Sequence, residues 1–323
     1  MNPSMMYRSS FNKIRSIEPD IVKYYEININ DYEPITLKAY KIVSDNGKEY
    51  FLKETNAVAL QKYQYLYNQG VNNVIYPILN RNESFVTRAN DSNYYISEYV
   101  KQIKIRNDTR VSNLYNELSI LHQQTQIRKS LDPSKSRGKF DELSSQLDYK
   151  FRLLEQLVRK IEAKNLDIFT LPVLENYHYI LDAKKELVKL QKRLISSIKA
   201  HEGVNYSFVH NNPDLDHLLN IKGVNYLSSL DNGKIGINSL DMAKFYVMNE
   251  QYDIDFKQLI LDKYYDENQL FYYDYFRFLV LVIYIKRMPI TIDDYINANS
   301  FVDTSESIKR YFKNFLDYKE ETS

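Results

Sequence analysis

Residues 35–53 read Ile35-Thr-Leu-Lys-Ala-Tyr-Lys-Ile-Val43, then Ser44-Asp-Asn-Gly47 and Lys48, then Glu49-Tyr-Phe-Leu-Lys53. Both outer runs are rich in β-forming side chains, and Asn-Gly between two such runs is the strongest short-range hairpin signal. An antiparallel strand pair is therefore expected. A helix follows over Val58–Gln69, closed by Gly70 as a C-cap. A further hairpin is expected from Val74–Leu79 and Phe85–Arg88, turning near Asn80–Glu83. Another turn at Asn90–Asn93 leads into a strand over Tyr94–Val100.

Beyond Ser112 the periodicity becomes helical. Leu114, Leu118, Leu121 and His122 fall on one face, and long helices are expected over Phe140–Lys164 and Leu174–Ala200. Ser130–Lys139 carries Pro and Gly in a polar run and reads as a loop. Short strands interrupt the helices at Tyr206–Val209, Leu218–Ile221, Val224–Leu227 and Lys234–Asn238, with Asp231-Asn-Gly233 as a hairpin turn. Helices resume over Asp253–Tyr264, Leu270–Arg287 and Ser305–Tyr318. The aromatic run from Tyr264 to Phe278 has helical spacing and reads as core, with a remainder available to line a cleft. The plan is α+β: a small β-rich lobe over 1–100, a connection near 96–101, and a larger helical lobe over 102–323.

Composition narrows the function. Among 323 residues, 43 basic and 42 acidic side chains leave a formal charge of +1, so no overall field gathers nucleic acid or an anionic membrane. Absence of cysteine excludes disulfides, thiol nucleophiles and sulfur-ligated zinc, and fits a reducing compartment. Met1–Asp20 has no apolar run of a signal peptide, and Phe278–Ile285 is far short of the ~20 residues that span a bilayer. A cytoplasmic protein is expected. The 30 tyrosines, with 7 glycines and no tryptophan, fit an AT-rich coding bias.

Several of these segments together resemble the aminoglycoside and choline kinase-like superfamily, which has a bilobed protein kinase-like fold, and within it the CotS-type spore-coat group. Tyr50-Phe-Leu-Lys53-Glu resembles the strand whose lysine holds nucleotide phosphates. Tyr94-Tyr-Ile-Ser-Glu98-Tyr99-Val resembles the connection that receives adenine on its backbone. Leu118-Ser-Ile-Leu-His122-Gln resembles the helix before the family's insertion, and His122–Phe140 is the part similar to the CotS group. The resemblance implies an adenine nucleotide and Mg²⁺ as cofactors of an active member, and a spore-coat or assembly role for a CotS-type one.

Phosphoryl transfer needs a carboxylate to orient the acceptor and oxygen ligands for Mg²⁺. The family supplies them from a His-Gly-Asp-x-x-x-x-Asn loop and a later Ile-Asp-x-Asp turn. The corresponding loop here reads His210-Asn-Asn212-Pro-Asp214-Leu-Asp216-His217, which puts Asn212 at the catalytic aspartate and His217 at the metal-binding asparagine. Matching the turn to Ile237-Asn-Ser239-Leu-Asp241 puts Ser239 at a metal-binding aspartate. The Val58–Gln69 helix has no glutamate for Lys53, and Gln61 is its nearest polar candidate.

The resemblance thus implies a degenerate kinase-like protein that works by binding, with a protein partner or assembly, or a small-molecule ligand between its lobes. Two alternatives stay open: an active ATP-dependent phosphotransferase in which Asp214 or Asp216 has taken over, and a pseudokinase that binds nucleotide without transfer. Asp214 and Asp216 equally suit turn and cap chemistry. His210 and His217 read either as a metal pair or as residues that hold the loop in place.

Overall fold

The computed structural model describes residues 14–316 apart from 15, 90, 102–104, 164–169, 201–202, 265–269 and 292. The expected positions Asn90, Lys164, Tyr265 and Tyr318 and the first thirteen residues lie outside the described residues. In chain order the elements are α1 (residues 16–25), β1 (Ile29–Thr36), β2 (Ala39–Ser44), β3 (Glu49–Thr55), α2 (Val58–Asn68), β4 (Thr87–Ala89), β5 (Ser92–Glu98) and α3 (Asn107–Gln124). There follow β6 (Ile127–Lys129), α4 (Pro133–Glu162), α5 (Leu171–Ala200), β7 (Val204–Val209), β8 (Leu218–Ile221), β9 (Val224–Leu227) and β10 (Lys234–Gly236). The last four are α6 (Ser239–Asn249), α7 (Phe256–Tyr264), α8 (Leu270–Arg287) and α9 (Asp294–Phe315). The expected mixed α+β class, a small antiparallel sheet with a mainly helical remainder, is what the structure has.

The chain forms two compact units. One holds Met1–Thr125 with Phe208–Lys234, and the other holds Gln126–Ser207 with Ile235–Ser323. The first unit therefore runs past residue 100 and takes in α3 and the β8–β9 hairpin. Its sheet has the order β1-β2-β3-β5-β4, antiparallel throughout. The β2–β3 turn falls where Asn46-Gly47 places it, with Gly47 at φ 77.

The expected single strand over Ile35–Val43 is broken at Leu37-Lys38, where a tight turn pairs Thr36 with Ala39. That turn contains no Gly or Pro, so sequence punctuation does not mark it. Val74–Leu79 is not a strand either. Val74 makes one isolated parallel bridge to Leu227, and the paired β4 is only Thr87–Ala89. An unexpected element, α1, covers the sheet: Ile14, Ile17 and Ile21 pack with Tyr40, Ile42, Leu52 and Ile96 in one buried cluster.

The other unit is a helical assembly in which α5 packs against α4, α8 and α9, and α8 against α6. The segment expected as a loop over Ser130–Lys139 is mostly the first turns of α4. Asp132 caps it by accepting from the Ser134 and Lys135 amides, and Pro133 occupies its first position, where the absent N–H costs nothing. In α8, Phe271, Tyr273, Phe276 and Phe278 are buried, so the aromatic run is core. Among the described residues no helix is long and apolar enough to cross a membrane.

A buried ionic network joins α5, α8 and α9. The Arg277 guanidinium donates to Glu186 at 2.6 Å and to the Tyr311 hydroxyl at 3.2 Å, while Arg193 meets Asp274 at 2.8 Å. Removing one member of such a pair leaves a charge in a medium that cannot solvate it. Arg277→Met is expected to lower unfolding free energy by roughly 3–5 kcal/mol in urea titrations. Arg159→Met, which breaks an exposed pair with Glu155, should cost less than about 1 kcal/mol.

Candidate functional site

The first unit contains a cleft of about 830 Å³. Its walls come from the β1–β2 turn, from β3 and β5, and from the loops on either side of the β8–β9 hairpin. Apolar side chains of Ala39, Phe51, Ile75, Val100 and Leu219 form one part. Lys53, Ser229, Asn212 and His217 stand in another. Glu98 and Tyr99 line it where β5 ends, and the Tyr99 amide donates to the Glu49 carbonyl at 3.3 Å.

Lys53 points from β3 to Asp231, and its Nζ lies 2.7 Å from Oδ1. The carboxylate is buried at 5 % exposure, and its Oδ2 accepts from the Thr55 hydroxyl at 3.3 Å. Lys62 of α2 donates to the Asp231 main-chain carbonyl. Gln61, one residue earlier, is exposed, so the helix presents a lysine and not the expected polar candidate. Asp231 sits in a 3-10 turn, Leu230–Asn232, entered through Ser229 at φ 59 and left at Gly233. A Cβ on Gly233 would fall 2.3 Å from the Phe208 ring, which itself stacks on Tyr65 of α2. The glycine thus lets the turn seat against α2.

The expected turn residues are placed elsewhere. Ser229-Leu-Asp231 and Ser239-Leu-Asp241 are identical triplets, and the latter was the one expected at the site. Ser239 and Asp241 instead open α6 in the other unit, fully buried, with the Ser239 hydroxyl donating to the Tyr272 carbonyl at 2.8 Å. The earlier triplet follows the β8–β9 hairpin directly and reaches the cleft. Each triplet follows a strand, β9 before Ser229 and β10, which pairs with β7, before Ser239, so the local sequence does not tell them apart.

His210 and His217 act as loop braces. His210 is fully buried; its Nε2–H donates to the Ser228 carbonyl at 2.9 Å, and its Nδ1 accepts from the Asn212 amide at 3.3 Å. Both ring nitrogens are thereby used, which removes His210 from any metal pair. His217 donates from Nδ1 to the Asn212 carbonyl at 2.8 Å and stacks on His210 with centroids 5.3 Å apart. Asp214 caps the following 3-10 turn, accepting from the Asp216 amide at 2.9 Å, and Asp216 is exposed. Among the described residues no group of three or more His, Asp or Glu side chains is placed to hold a metal.

No protein-family model matches the sequence, and no curated protein matches it. Solved structures do. An aminoglycoside phosphotransferase from Alicyclobacillus acidocaldarius superposes with a TM-score of 0.57 at 13 % identity, over 94 % of this chain and 96 % of that one. The fold is that of the aminoglycoside phosphotransferases and choline kinases. A choline kinase from Streptococcus pneumoniae gives 0.51 at 15 % identity, over 93 % and 99 % of the two chains. An amicoumacin kinase in complex with AMP-PNP and Ca²⁺ gives 0.50 at 14 %, over 92 % and 96 %.

The pairing of Lys53 with Asp231 bears on stability as well as on the site. Lys53→Met strands a buried carboxylate and is expected to cost roughly 3 kcal/mol in denaturant titrations, with Asp231→Asn in the same chain restoring part of the loss. A pH effect comes from His217. Burial holds its imidazole below the usual histidine range; the hydrogen bond to the Asn212 carbonyl opposes this and the nearby Lys53 ammonium adds to it. The unfolded chain binds that proton first, near the free value of about 6.5. The contribution of His217 is therefore complete above pH ~6.5 and is lost as pH falls below it. His217→Asn should flatten the decline in unfolding free energy between about pH 7 and 5.

Proposed function

We propose that this chain is a kinase-like binding protein, whose cleft holds a phosphorylated small molecule without transferring its phosphoryl group. The observation that carries the reading is the 2.7 Å pair between Lys53 and Asp231. In-line transfer asks for carboxylate oxygens free to hold Mg²⁺ against the phosphates and for a carboxylate at the acceptor hydroxyl. Here Asp231 is neutralised by Lys53 and held by Thr55, the neighbouring position is the neutral Ser229, and the loop offers Asn212 where the resemblance expects aspartate. Those residues do not fit a divalent metal. Asp214, the nearest acid in the loop, is engaged as a cap.

The cleft itself supports the binding half of the reading. Its volume is that of a small-molecule site, and apolar walls with a few convergent polar groups are the usual composition of one. A binding module of this kind acts through what it recruits. A protein partner or a coat-type assembly is the effector this proposal assigns it, in keeping with the CotS-type resemblance, with the cytoplasm as the compartment where it acts.

The test is turnover and binding on the same preparation. With Mg²⁺, ATP and aminoglycoside or choline acceptors, no phosphorylated product should form above the protein-free control. ADP at about 100 times its dissociation constant should stabilise the chain by ~2.7 kcal/mol, visible as a raised melting temperature. Mg²⁺-dependent phosphorylation that disappears in Asp214→Asn or Asp216→Asn would establish an enzyme with relocated carboxylates and overturn the proposal.

A further inference from the structure

One ring nitrogen on the cleft wall stays open. His217 lines the cleft at the end of the turn Leu215–His217. Its Nδ1 lies 2.8 Å from the Asn212 carbonyl, which can only accept. The proton of the neutral ring therefore sits on Nδ1, and Nε2 carries a bare lone pair. Among the described residues nothing hydrogen-bonds to Nε2, yet this nitrogen is not sealed inside the fold. The ring is fixed by that carbonyl and by His210, stacked on it with centroids 5.3 Å apart. A held tautomer with one free nitrogen on a cavity wall is a group aimed at what the cavity holds.

The charges around the ring decide what that is. In its own turn, Asp214 is the cap and Asp216 is exposed. Lys53 of β3 and Asp231 form a closed pair, and Lys62 of α2 is spent on the Asp231 main-chain carbonyl. Arg110 of α3 is spent on the Leu215 carbonyl, and His210 uses both ring nitrogens. Tyr63 and Tyr95 are buried, which pushes both phenols up and keeps them neutral. Lys38, Glu98 and Tyr99 complete the ionisable lining of the cleft. Of the groups next to the ring, only the imidazole can gain a positive charge near neutral pH. Burial keeps it neutral in the empty cleft, opposed by the bond to the Asn212 carbonyl and helped by Lys53. An anion against Nε2 acts in the opposite sense, because a negative charge within about 4–6 Å favours the protonated ring.

Resting on the binding-protein reading above, we infer that His217 takes up a proton at Nε2 as the ligand's phosphate group enters, so that binding is coupled to protonation and tightens as pH falls. The proton comes from solvent and returns to it on release, and no covalent bond of the ligand changes. Nδ1–H stays on the Asn212 carbonyl throughout, while Nε2–H becomes a charge-assisted donor to a phosphate oxygen. Affinity is then constant at a pH above the ring's pKa in the filled cleft. It rises as pH falls through that value and levels off below the pKa in the empty cleft. The position that the resemblance assigns to a metal-binding asparagine supplies the counter-charge itself, and only while the ligand is present.

Calorimetric titration of the full chain with ADP in EDTA, repeated in two buffers of different ionisation enthalpy, counts the protons taken up. At about pH 7, roughly half a proton or more should enter with each ADP bound. The dissociation constant should fall about tenfold between about pH 8 and 6.5, a range in which a terminal phosphate with a second pKa near 6 stays mostly dianionic. His217→Asn should bind ADP with close to no uptake and with a flat profile over the same range. The His217 ring proton in NMR spectra, assigned by its loss in His217→Asn, should titrate at least about one pH unit higher with ADP than without. Uptake near zero, a flat profile in the wild-type chain, or equal uptake in His217→Asn would each overturn the inference and leave the binding-protein reading intact. No ADP binding at any of these pH values would remove both.

Discussion

A lysine and an aspartate 178 residues apart in the chain meet at 2.7 Å, and much of the first unit is organised by the need to bury them together. Lys53 is held by the centre of a five-stranded sheet, since β3 is bonded on both sides by β2 and β5. Asp231 must reach it from a turn that follows a separate hairpin. That requires α2 to lie beside the turn and a residue in the left-handed region at Ser229 to redirect the chain. It also requires a glycine at 233, where any side chain would meet Phe208. An uncompensated carboxylate in such surroundings costs several kcal/mol, which makes the whole arrangement interdependent.

The loop on the other side of the β8–β9 hairpin is organised by hydrogen bonds between side chains and main-chain groups. His210 and His217 stack and bind carbonyls of Ser228 and Asn212, and His217 in turn accepts the Ser228 amide on its own carbonyl at 2.9 Å. Arg110 of α3 reaches the Leu215 carbonyl at 2.6 Å. The result is a rigid loop whose polar groups mostly serve each other. The cleft meets this loop through Asn212, Asp214, Asp216 and His217. The helical unit follows the opposite strategy, with full charges buried and mutually compensated around Arg277.

Local pattern alone was enough for most elements. The Asn46-Gly47 hairpin, α2 ending before Gly70, α3 and the core-forming aromatics of α8 follow from propensity, periodicity and turn chemistry, which act between near neighbours. The break at Leu37-Lys38 escapes such reasoning because it lacks turn residues, and the capped start of α4 at Asp132 escapes it because its composition is that of a loop. Within the site, Lys53, Asn212, Asp214 and His217 were legible by position and do line one cleft. Asp231 was not legible, because the chain holds two Ser-Leu-Asp triplets and nothing local separates them. Sequence by itself determined which segments are strand and helix and which charges and hydroxyls exist; tertiary structure decided which of them meet. Burial sets that choice, since a carboxylate or phenol acquires its role from the partners that packing brings to it across the chain.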